Sequence, residues 1–430
     1  MTILVLFEHN LRLDDNPLLA RATQLGGQML CVALGDPLGQ PGPYGLNRIG
    51  HRRQHFLHQA RQELHDALTR LGQQLVLIRQ PAIPALSRLI ERHRVTHLVR
   101  QRPLASDEQA LSWHLTRRHP GLTLEYVDGH TLFQLEQLPF DIDRLPSSYS
   151  AFRRALLPIE VKTPLPVPQR LPGSPPEVTP WPHIRQHRLR PFIGGESQGQ
   201  RQLAHYLDGP APGHYKETRN DLEGWQNSAK WSPWLAAGCL SPRRIWQALC
   251  HYEQNWGANA STEWLKRELL WREYFQWYAL KWGRRLFQVS GIGQKRPLTS
   301  FYPTRFSQWC QGSTPYPLVN ACMHELNETG YLSNRGRQLV ASALVNELQL
   351  DWRCGAAYFE QQLIDYDVGS NWGNWQYIAG VGADPRGGRH FDLNKQSQLH
   401  DPKGHYTHKW RGDTPVALTE SPVDWPGEAS

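Results

Sequence analysis

Through the first 130 residues, short apolar runs alternate with longer amphipathic ones. The runs at 3–7, 30–34, 74–78, 97–100 and 122–127 predict buried strands, and the 3.6-residue periodicity over 48–71, 84–92 and 107–118 predicts helices between them. Strands alternating with helices predict an α/β fold, a Rossmann-like parallel sheet wrapped on both faces. Nine prolines between 158 and 182 then predict an extended, semi-rigid connector, since each fixes φ and removes a donor. Helical period returns at 242–254, 261–284, 317–329 and 335–350, so the second half is expected to be an all-α domain. The expected division is an α/β domain over 1–130, a connector over 131–195, a helical domain over 196–415 and a flexible tail over 416–430.

Composition sharpens this outline. Fourteen of the seventeen tryptophans lie between 225 and 410, which gives the helical half an aromatic interior. No G-x-G-x-x-G follows the first strand, so a dinucleotide site of the usual kind is not expected there. The net charge of +8 favours an anionic partner, and the 15 Arg against 11 acids in the first 130 residues spread that charge rather than forming a basic tail. Six scattered cysteines without a C-x-x-C predict neither a disulfide framework nor a metal site. The amino-terminal apolar run is too short for a signal sequence, and no run reaches the roughly 20 residues of a membrane span. A soluble, cytoplasmic protein is expected.

The densest chemistry lies at 365–377, Asp-Tyr-Asp-Val-Gly-Ser-Asn-Trp-Gly-Asn-Trp-Gln-Tyr. Asp365 and Asp367, the amide of Asn371, and the rings of Trp372, Trp375 and Tyr377 crowd one segment. Gly369, Gly373 and Asn374 predict a tight loop whose backbone approaches a flat ligand. Acids, an amide and indoles together suit an aromatic heterocycle with hydrogen-bonding edges. In the helix at 261–284, Trp264, Glu268, Trp271, Phe275, Tyr278 and Trp282 recur at intervals of 4 and 3 and are expected to share one face. A carboxylate in that stripe must be paired or functional, and Arg272 one turn on is a candidate partner. Ser228 and Ser232, before Pro233, read either as a helix cap or as a phosphate-binding helix start. Asn334, Arg335 and Arg337 open an apolar helix, as surface charge or as ligand contacts.

These motifs resemble the photolyase/cryptochrome family, and more narrowly its DASH branch, most densely over 194–410. The resemblance implies FAD, bound non-covalently in the helical domain by Tyr215, Ser228, Lys230, Trp231, Ser232, Glu268, Arg272, Asn334, Arg337, Asp365, Asp367 and Asn371. Ala229 stands where relatives often carry a second hydroxyl. Glu268, Trp271, Arg335, Gln338, Asn371 and Tyr377 are implied at the reacting site, with Gln338 replacing the Met, and Tyr377 the Trp, of ordinary cyclobutane photolyases. Trp375 and Trp352 match the inner and middle members of the family's electron-transfer chain. The third position falls on Thr299, which leaves Tyr302 and Trp309 as candidates. An antenna 5,10-methenyltetrahydrofolate is implied near residues 105–108, with Glu108 on its pterin, although an acid opening a helix is also explained by the macrodipole. No metal is implied.

The implied chemistry is electron donation from photoexcited reduced FAD to a cyclobutane pyrimidine dimer, which splits and returns the electron. A base must leave the stack to reach a buried flavin, so single-stranded or distorted DNA is the expected partner of what is expected to be a monomer. The rival expectation is a blue-light photoreceptor using the same pocket without repair.

Overall fold

The computed structural model describes the whole chain except residues 36–40, 80, 177–180, 182–190, 294–296, 298, 384–386 and 419–430. The amino-terminal part is built on five strands, β1 (Thr2–Phe7), β2 (Gln28–Leu34), β3 (Leu75–Ile78), β4 (Val95–Gln101) and β5 (Thr123–Val127). They pair in parallel in the order β3-β2-β1-β4-β5, with Val5 of the central strand facing Cys31 on one side and Val99 on the other. Side chains of β1 alternate between two cores. Ile3, Val5 and Phe7 enter the larger one, while Leu4 and Leu6 join Leu30, Val32 and Leu98 in the second.

Helices α2 (His51–Arg70), α3 (Ala82–Arg92) and α4 (Ser106–Arg118) fall within a few residues of their expected bounds. Helix α1 (Pro17–Leu25) was not anticipated, although its start is written locally: the Asn16 side chain accepts from the Leu18 and Leu19 N–H groups, and Pro17 takes the first position.

The short α5 (Tyr149–Leu156) leads into the proline-rich stretch, whose described residues 157–176 carry no helix or strand. The helical half comprises α6 (Glu196–Leu207), α7 (Ala211–Thr218), α8 (Ser232–Ala236), α9 (Pro242–Trp256), α10 (Ala260–Trp282), α11 (Pro303–Gln311), α12 (Pro317–Thr329), α13 (Asn334–Ser342), α14 (Trp352–Gln362), α15 (Val368–Ile378), α16 (Leu393–His400) and α17 (His405–Lys409). The helix expected over 335–350 is not continuous, because α13 gives way to a π-turn at Ala343–Glu347. The expected tail lies, from residue 419 onward, outside the described residues.

The larger core does not stop at the end of the sheet; it runs from Phe7 through Phe152 and Leu203 to Trp277. Carboxylates fasten the seam. Glu196 accepts from the Leu13 and Asp14 N–H groups at 2.7 and 2.9 Å, Asp15 pairs with Arg243 at 2.9 Å, and Glu273 accepts from Leu132 at 2.7 Å. No described helix is long and apolar enough to cross a membrane.

Candidate functional site

The segment 365–377 is mostly helix, not the tight loop its glycines predicted. Asp367 is the N-cap of α15, and its Oδ1 accepts from the Ser370 N–H at 2.8 Å. Gly369 and Gly373 lie one turn apart on the side pressed against α10. A Cβ at Gly369 would stand 2.6 Å from the Phe275 carbonyl oxygen, and one at Gly373 2.3 Å from the Phe275 ring. The glycines serve helix–helix contact, which the sequence alone cannot distinguish from loop flexibility.

A cavity of 360 Å³ opens between α10, α13 and α15, closed on another side by the segment 227–232. Every residue expected at the cofactor lines it: Tyr215, Ser228, Lys230, Trp231, Ser232, Glu268, Arg272, Asn334, Arg337, Asp365, Asp367 and Asn371. Gln338, Trp375 and Tyr377 line it too, whereas Trp271, Arg335, Trp352 and Glu108 do not.

Arg272 does not pair with Glu268. Its Nη1 donates to the His130 carbonyl, and its Nη2 lies 3.7 Å from Asp367. Asp367 also receives His130 Nε2 at 2.9 Å and Gln276 Nε2 at 2.7 Å. Burial by itself would raise the Asp367 carboxyl, but the His130 hydrogen bond and the Arg272 charge outweigh it and hold the group well below the usual carboxylate range. Burial and the Arg272 charge push His130 down to about 4, so it stays neutral. Sequence reasoning missed His130 because its partner is 237 positions away.

Glu268 sits apart from the apolar interior, with 37 % of its side chain exposed. Its Oε1 accepts from Arg219 Nη1 and from Trp264 Nε1, the latter at 2.9 Å. The expected stripe therefore divides: Phe275 and Tyr278 are buried, while Trp264, Trp271 and Trp282 are only partly so. The buried acid of α10 is instead Glu273, which sequence spacing did not single out. Sequence reasoning did not single out Arg219, whose partner Glu268 lies 49 positions away.

Ser228 and Ser232 are not caps. Trp231 holds the N-cap position of α8 without a side-chain capping bond, and both serines face the cavity wall. Lys230 beside them adopts φ +57°, a costly left-handed conformation for a residue with a Cβ. At α13 the cap is Ser333, whose Oγ accepts from the Gly336 N–H at 3.1 Å. Arg337 turns inward to Asp365, while Arg335 donates to Asn220 at 3.1 Å and lies 5.3 Å over the Phe391 ring. Asn371 Nδ2 donates to the Ala356 carbonyl at 3.0 Å, which leaves its oxygen as the free end of the amide.

Two buried polar atoms lining the cavity lack a hydrogen-bond partner, the acceptor Asp365 Oδ1 and the donor Trp231 Nε1. Such groups are costly unless something satisfies them. Together with the cations Lys230, Arg272 and Arg337, they fit a ligand that carries a phosphate and a ring system with both donors and acceptors.

The Trp375 ring packs on Phe359 at 5.1 Å and on Trp309 at 6.2 Å, whereas Trp352 packs on Trp372 at 5.8 Å. Glu108 is occupied within its own helix start. It accepts from the Leu104 and Ala105 N–H groups at 3.0 and 3.2 Å and lies 3.4 Å from His9. Its own cavity measures 20 Å³, about the room of one water and too small for a pterin. An open cleft of 540 Å³ lies beside it, between Ser106 and Ala110 on one side and Arg284, Phe287 and Trp372 on the other.

Comparison with known proteins agrees with the geometry. Residues 3–169 match the DNA photolyase family, and residues 264–414 match the FAD binding domain of DNA photolyase. The chain belongs to the photolyase/cryptochrome family, and FAD is the cofactor of its helical half. Within that family the likeness is to the DASH cryptochromes. The chain is 46 % identical to Cryptochrome DASH of Vibrio parahaemolyticus, over 98 % of this chain and 96 % of the relative. It is 44 % identical to that of Idiomarina loihiensis over the same shares. The crystal structure of the Synechocystis cryptochrome superposes with a TM-score of 0.88 at 38 % identity, covering 95 % of this chain and 88 % of that one.

Proposed function

We propose that the protein is a light-driven repair enzyme for cyclobutane pyrimidine dimers, acting on single-stranded or locally opened DNA. The observation that carries this reading is the cavity mouth. Tyr377 lines the cavity and meets Trp271 edge to face at 6.2 Å, on the same cavity as Glu268 and Gln338. An aromatic corner beside a carboxylate and an amide suits an extruded base, offering stacking surface together with hydrogen-bond partners for its edge.

Reduced FAD, when bound and illuminated, supplies the electron that splits the dimer. The chain's own residues do the rest. Asp365, Arg337 and Asn371 orient the isoalloxazine, with Arg337 and Arg272 favouring the negative charge of the reduced form. Ser228, Lys230 and Ser232 hold the pyrophosphate. Glu268 accepts from the dimer after exchanging its bond to Arg219, which frees the arginine for a backbone phosphate. Trp375 is the first donor during photoreduction. The 540 Å³ cleft beside α4 has room for a folate antenna, which the small cavity at Glu108 lacks.

The substrate preference follows from the pocket. Extruding a dimer from duplex costs a few kcal/mol, and stacking returns about 1–3 kcal/mol per base. Tyr377 offers a smaller ring than an indole, and its hydroxyl is tied to Arg389 at 2.6 Å, so the corner is polar at its edge. The test is light-dependent repair of one dimer placed in single-stranded, bubble and fully paired DNA, across a salt series. Repair should fall in that order, and binding should weaken steeply with salt. Equal repair of single strand and duplex would refute the pocket argument. Absence of repair on all three would favour a photoreceptor in which the same cavity drives a light-dependent interaction.

A further inference from the structure

Trp271 is the one residue implied at the damaged base whose ring stands outside the cavity lining, and its nearest ring neighbour comes from the amino-terminal side of the molecule. Tyr149, the first residue of α5, stacks on it with centroids 3.8 Å apart and planes 11° from parallel. The Tyr149 hydroxyl donates to the Arg267 carbonyl at 3.0 Å, and its ring also meets Tyr274 at 6.3 Å. Helix α5 is itself anchored, by the Ser148 cap and by Phe152, fully buried and 5.1 Å from Tyr274.

The side of Trp271 that Tyr149 covers can be read from α10. Leu265, Glu268, Leu269 and Arg272 line the cavity and mark the face that looks into it. Tyr274 follows Leu265 by nine residues, two and a half turns, and so projects to the opposite side. Tyr149 touches Tyr274 and therefore approaches from that opposite side. Trp271 projects between the two, with Tyr149 behind it and Tyr377 across the cavity mouth.

We propose that Tyr149 is a positioning residue of the damaged-base site. It holds the Trp271 indole in one orientation, so that a base leaving the DNA meets a surface already set and not a ring free to turn. This rests on the repair reading above and adds a residue to it from a part of the chain outside the cavity. An aromatic ring that is free to turn and must be ordered on binding costs some affinity, and a stacked neighbour removes that cost in advance. The phenol is well suited to this, because its flat face sets the plane of the indole and the hydroxyl bond to Arg267 prevents its own rotation.

The test is equilibrium binding, in the dark and with FAD loaded, of a short single strand carrying one thymine dimer and of the same strand undamaged. Tyr149→Leu is expected to weaken binding of the damaged strand about three- to tenfold, the scale of one aromatic pair. The undamaged strand should bind within twofold of wild type. Tyr149→Phe keeps the stack and should restore most of the affinity. In repair, Tyr149→Leu should raise KM for DNA and leave kcat nearly unchanged. If the leucine variant does not fold, Tyr149→Met, which fills the volume without a flat face, carries the same expectation. Unchanged affinity for the damaged strand in the leucine or methionine variant overturns the proposal, and so does an equal loss for both strands. Trp271→Ala separates the two levels: if it leaves damaged-strand binding unaltered, the damaged-base reading itself fails.

Discussion

Arg337 Nη2 donates to Asp365 Oδ2 at 2.7 Å, and the other oxygen of that carboxylate is buried in the cavity wall with no hydrogen-bond partner. One half of the acid is thus fixed by the protein and the other half is available to a ligand. Asp365→Asn should fold, because an amide keeps the shape, but it should lose flavin. A hydrogen bond to a charged group is worth about 1.5–3 kcal/mol, which corresponds to roughly 10- to 100-fold in affinity. The flavin-to-protein absorbance ratio after gel filtration reports this. Full occupancy in the asparagine variant would remove Asp365 from the cofactor site.

Asp367→Ala should behave differently, because its carboxylate holds the protein together as well as facing the cavity. It caps α15 and anchors His130, Gln276 and Arg272. Stripping a buried charge of its partner costs about 3–5 kcal/mol, so flavin loss should come with a clear drop in Tm. A variant with unaltered Tm and little flavin would show the anchor to be dispensable.

Acid should weaken the fold through His130. Its folded-state pKa of about 4 lies below the ordinary value of 6.5. The unfolded chain therefore binds the proton first, and the contribution of neutral His130, complete above pH 6.5, is lost as pH falls toward 4. The Tm difference between His130→Gln and wild type should therefore shift in the variant's favour as pH falls over that interval, whatever Glu273 and Glu325 add to both proteins. A constant difference would mean that other groups control the decline.

Base should weaken the seam through Glu273, which burial pushes up to about 7 despite the N–H groups of Leu132 and Phe133 and the indole of Trp277. A raised carboxyl stabilises the fold in its protonated form below the ordinary glutamate range, and that stabilisation disappears as pH climbs through about 7. Above about pH 6.5, where the His130 contribution is already complete, wild-type Tm should decline toward about pH 8, and Glu273→Gln should reduce that slope. It should not abolish it, since Glu325 is pushed to about 7 by burial as well. An unaltered slope in the glutamine variant would exclude Glu273 as a contributor.

Gly355→Ala should act on Trp375 from behind. A Cβ there would stand 2.2 Å from the indole, which packs directly on the bare backbone. Overpacking of this kind costs about 1–3 kcal/mol and should displace the ring. Photoreduction of the oxidised holoprotein should slow, as in Trp375→Phe, while FAD stays bound. Normal photoreduction in both variants would place the first donor elsewhere.

The strands and most of the helices were legible because their signals are local, whereas the cavity residues named from the sequence came from the likeness of its motifs to the photolyase/cryptochrome family. Periodicity marks which face of an element is buried, and the family resemblance is what assigned Asp365, Arg337 and Asn371 to one site. What remained hidden depended on partners distant in the chain. The glycines of α15 looked like loop residues until Phe275 was seen against them. Glu268 looked like the partner of Arg272 until Arg219 and His130 supplied alternatives 49 and 142 positions away. Tyr149 carries no sequence signal at all, being one tyrosine after a serine cap. A sequence records the side of a helix on which a residue projects and the charge it carries; only packing decides which of several possible partners reaches it first, because that choice is made by distances of a few ångströms between segments that the chain order does not bring together.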